Sequence, residues 1–318
     1  MKQRRIVIIG SSNMDMVVQT NHIPVPGETV LSGSFFMNPG GKGANQAVAV
    51  ARLGGNACFI AKVGNDIFGK QATQLFDDEG IDTRYLLSDD ELPSGVALIT
   101  VDQKGENSIV VASGANANFF PSDLNSALEE IVKFDIVLMQ LEIPMSTILF
   151  VAKTVSKENT KVILDPAPAN ELSKELLHYI DIITPNQTEA EILSGIKVTD
   201  IESAKEAALV IYAKGVKNVI VTLGPVGAVV CQEGNMYLVR APVVKAIDTT
   251  AAGDVFNGAL AVALSEDKPL IKAVEFACMV AAVSVTKMGA QSSIPYRNEV
   301  LASNIMTENL NSKIINNQ

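Results

Sequence analysis

The residues best suited to chemistry lie in one stretch, Ile247-Asp248-Thr249-Thr250-Ala251-Ala252-Gly253-Asp254-Val255-Phe256-Asn257-Gly258-Ala259. A polar Asp-Thr-Thr cluster leads into small residues that open a helix, and the N–H groups of a first helical turn have no intrahelical acceptor. Two alanines and a glycine leave room for an anion to touch the backbone, which is the physics of a hole for a transferring phosphoryl group. Ala251, Ala252 and Gly253 are the candidate backbone contacts, and Asp254, inside that turn, is the candidate base. Residue types alone fit a plainer role for Asp254 equally well, complementing the helix dipole for ~0.3–1 kcal/mol.

Four further polar clusters follow apolar runs or glycine turns. Asn38-Pro39-Gly40-Gly41-Lys42-Gly43-Ala44-Asn45-Gln46-Ala47 combines a glycine turn with a helix start that would hold Asn45 towards a polyol. It does not match the phosphate-loop pattern G-x-x-x-x-G-K-[ST], and Lys42 fits either phosphate charge or a solvated surface. Gly10-Ser11-Ser12-Asn13-Met14-Asp15 ends the first apolar run, where Asn13 and Asp15 suit sugar hydroxyls or simple Asx turns. Thr184-Pro185-Asn186-Gln187-Thr188-Glu189 has capping-box spacing between Asn186 and Glu189. Thr222-Leu223-Gly224-Pro225-Val226-Gly227 fits a nucleotide-edge loop or only a turn. Glu142 also follows an apolar run.

Strand-length apolar runs at 6–9, 135–139, 161–164, 181–184 and 218–222 alternate with helical periodicity near 145–157, 171–178, 187–194 and 202–214. This alternation predicts an α/β fold, a mostly parallel sheet with helices on both faces. Residues 252–286 read as two Ala-rich helices broken near Asp267-Lys268-Pro269. Two segments break the rhythm. Residues 17–38 carry Pro24, Pro26, Gly27 and Gly33, and residues 95–112 read as strand–turn–strand around Lys104-Gly105. Together they predict a small second sheet of about four strands that must cover a ligand or pair with another subunit. The expected layout is a body of 1–16, 39–94 and 113–306, an inserted sheet of 17–38 and 95–112, and a polar tail of 307–318.

The net charge of −10 in 318 residues argues against a nucleic-acid partner, since no basic patch offsets it. The first apolar run is too short to span a membrane and lacks a leader-type core, so a cytoplasmic protein is expected. Cys58, Cys231 and Cys278 show no metal spacing and read as buried apolar residues. A G-x-G-x-x-G fingerprint is missing after the first strand, which disfavours a dinucleotide-dependent dehydrogenase.

From about Ile6 to Arg297 the chain resembles the ribokinase family of carbohydrate kinases. The resemblance rests on Gly40-Gly41-Lys42-Gly43-Ala44-Asn45-Gln46-Ala47, on Asp248-Thr249-Thr250-Ala251-Ala252-Gly253-Asp254, and on Asn186-Gln187-Thr188-Glu189 as an N-x-x-E pattern. It implies a three-layer sandwich with a small β-sheet lid. It also implies ATP-dependent phosphorylation of D-ribose at its 5-hydroxyl, with Asp254 as a weak but sufficient base and the N–H groups of Ala252, Gly253 and Asp254 as the donors expected to hold charge. Asn13, Met14, Asp15, Gly41, Lys42, Gly43, Ala44, Asn45, Glu142 and Asp254 would line the sugar site. Asn186, Thr222, Leu223, Gly224, Pro225, Val226, Gly227, Gly253, Asp254 and Cys278 would line the ATP site. Glu189 would organise Mg²⁺ through water, and Asp248, Thr250, Ser284, Lys287, Gly289 and Ser293 would surround K⁺. Lids of two subunits would pair in a homodimer. Alternatives are a kinase for deoxyribose, fructose, a keto-deoxy sugar acid or a nucleoside, or a non-catalytic sugar-binding regulator that would need to have lost Asp254.

Overall fold

The computed structural model describes residues 4–31, 33–158, 160–303 and 313–315. Among these, nine strands form one sheet in the order Lys313–Ile314, Asn235–Arg240, Gly227–Gln232, Asn218–Thr222, Ile182–Ile183, Lys161–Leu164, Ile136–Met139, Arg5–Ile9, Asn56–Ile60. The strands from 56–60 through 218–222 are parallel, and the last three are antiparallel. Alternate residues of each strand enter opposite cores, as the two-residue period demands. Ile6, Ile8, Ile136 and Leu138 pack with the helices Lys42–Arg52, Ile67–Asp78, Ala252–Ser265 and Leu270–Ser284. Val7, Ile9, Val137 and Met139 pack with Met145–Val155, Lys174–His178, Gln187–Ser194 and Ile201–Ala213.

The helices follow their local sequence. Gln187–Ser194 starts at a reciprocal capping box, with the Glu189 N–H donating to Asn186 Oδ1 at 2.9 Å and the Asn186 N–H to Glu189 at 2.8 Å. It ends at Gly195 in the left-handed conformation. Helix 252–265 is buried along almost its whole length, which its nearly uninterrupted apolar sequence requires. Helices 42–52 and 252–265 cross closely because Gly258 faces Ala49, and a Cβ built on Gly258 would lie 2.6 Å from that methyl. No helix of the described residues is long and apolar enough to cross a membrane.

A separate four-stranded sheet has the order Ser34–Gly40, Asn13–Gln19, Gly95–Val101, Asn107–Ala112. The 13–19 and 95–101 strands pair in parallel, and the outer pairings are antiparallel. The sheet therefore begins four residues before the expected boundary at 17, and it includes Pro39 and Gly40. The expected 307–318 tail also needs correction, since residues 313–314 pair with 237–238 as the edge strand of the main sheet. The rest of that tail lies outside the described residues. The sequence reading also passed over the strand at 56–60, and it took Gly227 for part of a loop where a strand starts.

Candidate active site

The carboxyl ends of the parallel strands gather the polar clusters. Strand 5–9 is the switch point, since the chain continues to 56–60 on one side while 136–139 lies on the other. Two cavities open beside it. One, of about 380 Å³, is lined by Asn13, Val111, Asn116, Glu142 and Pro168 among others. The second, of about 240 Å³, is lined by Lys42, Asp165, Asn186, Glu189, Thr222, Ala251, Gly253 and Asp254 among others. They adjoin at Lys42, whose backbone N–H donates to Glu142 Oε2 at 3.0 Å.

Asp254 is the third residue of helix 252–265 and only 4% exposed. Ala251 caps that helix at φ 60°, a conformation that is sparsely populated for a residue with a Cβ. The Ala252 N–H turns back to Thr249 O at 3.2 Å, so it is not the free donor expected of it. Among the described residues the N–H groups of Gly253 and Asp254 have no partner, and a Cβ on Gly253 would meet nothing within 4 Å. These two amides are the unpaired donors at the helix start.

The Asp254 carboxylate accepts from Asn45 Nδ2 at 2.8 Å and from Gln46 Nε2 at 3.3 Å. Burial raises its pKa above the ordinary carboxylate value, with the Lys42 ammonium opposing. Burial thus opposes the acidifying effect of the helix start on this group. Burial alone would lower the Lys42 pKa, but the carboxylates of Asp254, Asp165, Glu142 and Glu189 more than offset it, so the ammonium stays charged. This removes the solvated-surface reading of Lys42.

Asn13 and Asp15 stand on the first strand of the small sheet. Asn116 Nδ2 donates to Asn13 Oδ1 at 2.8 Å, which turns the Asn13 amide group outward as a donor. The Asp15 backbone lies in the ladders with Asn38 and Ala97, while its carboxylate makes no hydrogen bond among the described residues; burial, with Glu142 and Asp254 nearby, raises its pKa to about 6. Asn45 Oδ1 is buried and unpartnered, an acceptor suited to a ligand hydroxyl. Glu142 Oε2 is already held by Ser11 Oγ at 2.5 Å.

Several of the expected contact residues have structural partners. Met14 is buried and lines neither cavity. Gly41 caps the 42–52 helix at φ 88°, Gly43 lies against the backbone of Ser11, and the Ala44 N–H donates to Ser11 O at 2.9 Å. None of the three is in the lining of either cavity, and neither are Asp15 and Asn45. On the nucleotide side Asn186 and Thr222 face the second cavity, but Leu223 and Cys278 sit in the two cores. Burial pushes the Cys278 thiol up to about 12. Gly224, Pro225 and Val226 form an exposed turn outside that cavity, and Gly227 begins a strand.

Asp248 is bonded by Thr250 N at 2.9 Å, Thr250 Oγ1 at 2.6 Å and Gly289 N at 2.8 Å, which docks the 248–250 and 285–289 loops together. The hydroxyls of Ser284 and Ser293 bond to Ala281 O and Ala290 O, and Lys287 Nζ pairs with Glu299. Both serine oxygens act as donors in these bonds and keep lone pairs beside the backbone carbonyls, whereas the Lys287 ammonium has none to offer a cation. Among the described residues no three His, Cys, Asp or Glu groups assemble as a metal cage.

Sequence reasoning missed Asp165, Gln46, Gln140 and Asn116. Asp165 is 5% exposed and lines the second cavity. Its only signal was its position directly after the 161–164 strand.

A family model described as pfkB family carbohydrate kinase matches residues 3–297. The chain is 46% identical over 299 residues to a ribokinase of Haemophilus influenzae, covering 94% of this chain and 98% of that one. It is 38% identical to a deoxyribokinase of Salmonella typhi, covering 91% and 95%. A ribokinase of Arabidopsis thaliana, solved with ribose and ATP, superposes with a TM-score of 0.88 at 35% identity, covering 94% and 97%. Two adjoining cavities with a buried acid at a bare helix mouth, and a match along nearly the whole chain, lead to one assignment: the chain belongs to the pfkB family of carbohydrate kinases.

Proposed function

We propose that the protein transfers the γ-phosphoryl group of ATP to the 5-hydroxyl of D-ribose. The observation that carries this is the placement of Asp254, buried between the two cavities beside the free N–H groups of Gly253 and Asp254. The Asp254 carboxylate takes the hydroxyl proton as the sugar oxygen bonds to phosphorus and the bond to the β-phosphate oxygen breaks, giving ADP. The transition state of such transfers is loose, so charge stabilisation matters as much as base strength. The two amides and the Lys42 ammonium supply that stabilisation. Asn13, Asp15 and Asn45 offer one donor and two acceptors to sugar hydroxyls.

Glu189 faces the second cavity with its carboxylate held by Asn186, so it suits a Mg²⁺ ion reached through water, which Mg²⁺ retains readily. Bound there, the ion would offset charge on the nucleotide phosphates. The 248–250 and 285–289 loops would hold K⁺ through backbone carbonyls. The small sheet covers the sugar cavity through Val111 and leaves Phe35, Met37, Leu98 and Val110 about half exposed on its other face. That face suits pairing with a second copy in a homodimer.

A coupled ADP-release assay over pentoses, hexoses and nucleosides, with and without K⁺, tests the proposal. Ribose should give the highest kcat/KM. A clear preference for deoxyribose would shift the assignment to the sugar of the Salmonella relative, and no turnover with any sugar would end it.

A further inference from the structure

The proposed base and three groups behind it form a single network. Gln140 Nε2 donates to Gln46 Oε1 at 2.5 Å, and the same bond fixes which way the Gln46 amide faces. Gln46 Nε2 then donates to Asp165 Oδ2 at 2.8 Å and to Asp254 Oδ1 at 3.3 Å. Gln46 and Gln140 are fully buried, and the two acids are 5% and 4% exposed. One amide group thus gives a hydrogen to each of two almost wholly buried carboxylates.

Two carboxylates in one low-dielectric site resist being ionised together, and the usual outcome is that one keeps its proton. A bridging amide with a hydrogen for each counters this, because hydrogen bonds to the charged form favour it. Gln46 can do so only while its oxygen is held away from the acids, and Gln140 holds it. Asn45 and Lys42 also favour the Asp254 anion, from the same helix as Gln46. Glu142 opposes it from the loop after strand 136–139, and Glu189 adds to the acid load on Asp165 from helix 187–194.

We propose that Gln46, locked by Gln140, is a positioning residue that keeps Asp254 ionised next to the buried Asp165. The idea rests on Asp254 being the base.

The test is kcat against pH at saturating sugar and ATP, where protonation of Asp15, which acts on sugar binding, drops out. Gln46→Leu removes both bonds, and the acidic limb of kcat should move up by about one pH unit or more. Gln140→Met nearly conserves volume and removes the donor that holds the Gln46 oxygen away from the acids. The limb should move in the same direction, and this variant decides the matter if Gln46→Leu does not fold. Asp165→Asn removes the competing charge and should move the limb down. A uniform fall in kcat with an unmoved limb in Gln140→Met would mean packing alone and would overturn the proposal. Asp254→Asn separates the two readings. If it stays active, the base assignment fails. If it is inactive while the limb stays put in the other variants, only the role of Gln46 fails.

Discussion

Asp15 carries an energetic penalty that its ligand should remove. Its carboxyl pKa is about 6, against 3.8 for the free group. A pKa higher folded than unfolded means that the folded protein binds more protons between these values, so stability falls as pH rises through the window. The difference of about two units corresponds to roughly 3 kcal/mol once pH exceeds 6. Near pH 5 the penalty is about half that, and near pH 4 about 0.5 kcal/mol. Asp15→Asn keeps the shape without the charge. It should therefore be more stable than the parent at pH 8 by an amount of this order, a rise in Tm of roughly 5 °C for a chain of this size. The gap should shrink steadily towards pH 4. The same variant should bind ribose at least tenfold more weakly, because a site built to accept hydroxyl hydrogens loses an ionised acceptor. Paired thermal melts of both proteins from pH 4 to 8, with and without ribose, measure all of this. Equal Tm at pH 8, or a gap that does not change with pH, would refute the reasoning.

Asp254→Asn should keep the fold and sugar binding but lose ~10²–10⁴-fold in kcat in the coupled assay, and a near-parental rate would remove the base assignment. Gly253→Val places a branched side chain in the open space beside the two amides and should reduce kcat/KM for ATP well over tenfold with little change in Tm. Asn186→Ala removes the cap of helix 187–194 and should reduce stability by ~1 kcal/mol in denaturant titration, while raising the KM for ATP. Gly258→Val should destabilise by ~1–3 kcal/mol through overpacking against Ala49, read by the same titration.

Much of the frame was readable because its signals are local. The capping box at Asn186, the break at Asp267-Lys268-Pro269 and the small residues opening the 252–265 helix each need only a few neighbours to be interpreted. The polar chain behind Asp254 was not readable. Gln46 meets Asp165 across 119 positions and Gln140 across 94, and no local pattern marks either pair. The surroundings of the base were hidden for a related reason. The dipole of the helix start is visible in sequence, but the burial that outweighs it is set by elements far along the chain. The parallel pairing of 13–19 with 95–101 was hidden in the same way, since a run of strand formers does not reveal its partner.

The contact between Gly258 and Ala49 has a meaning beyond packing. One of its helices carries Asn45 and Gln46, and the other carries Asp254, so the spacing of this seam sets how far apart those side chains begin. A missing methyl group one turn below the chemistry acts as the gauge to which the reaction centre is built. Selection at this position would follow an interval rather than a reactive group, and a change there could detune turnover while every atom that touches substrate kept its identity.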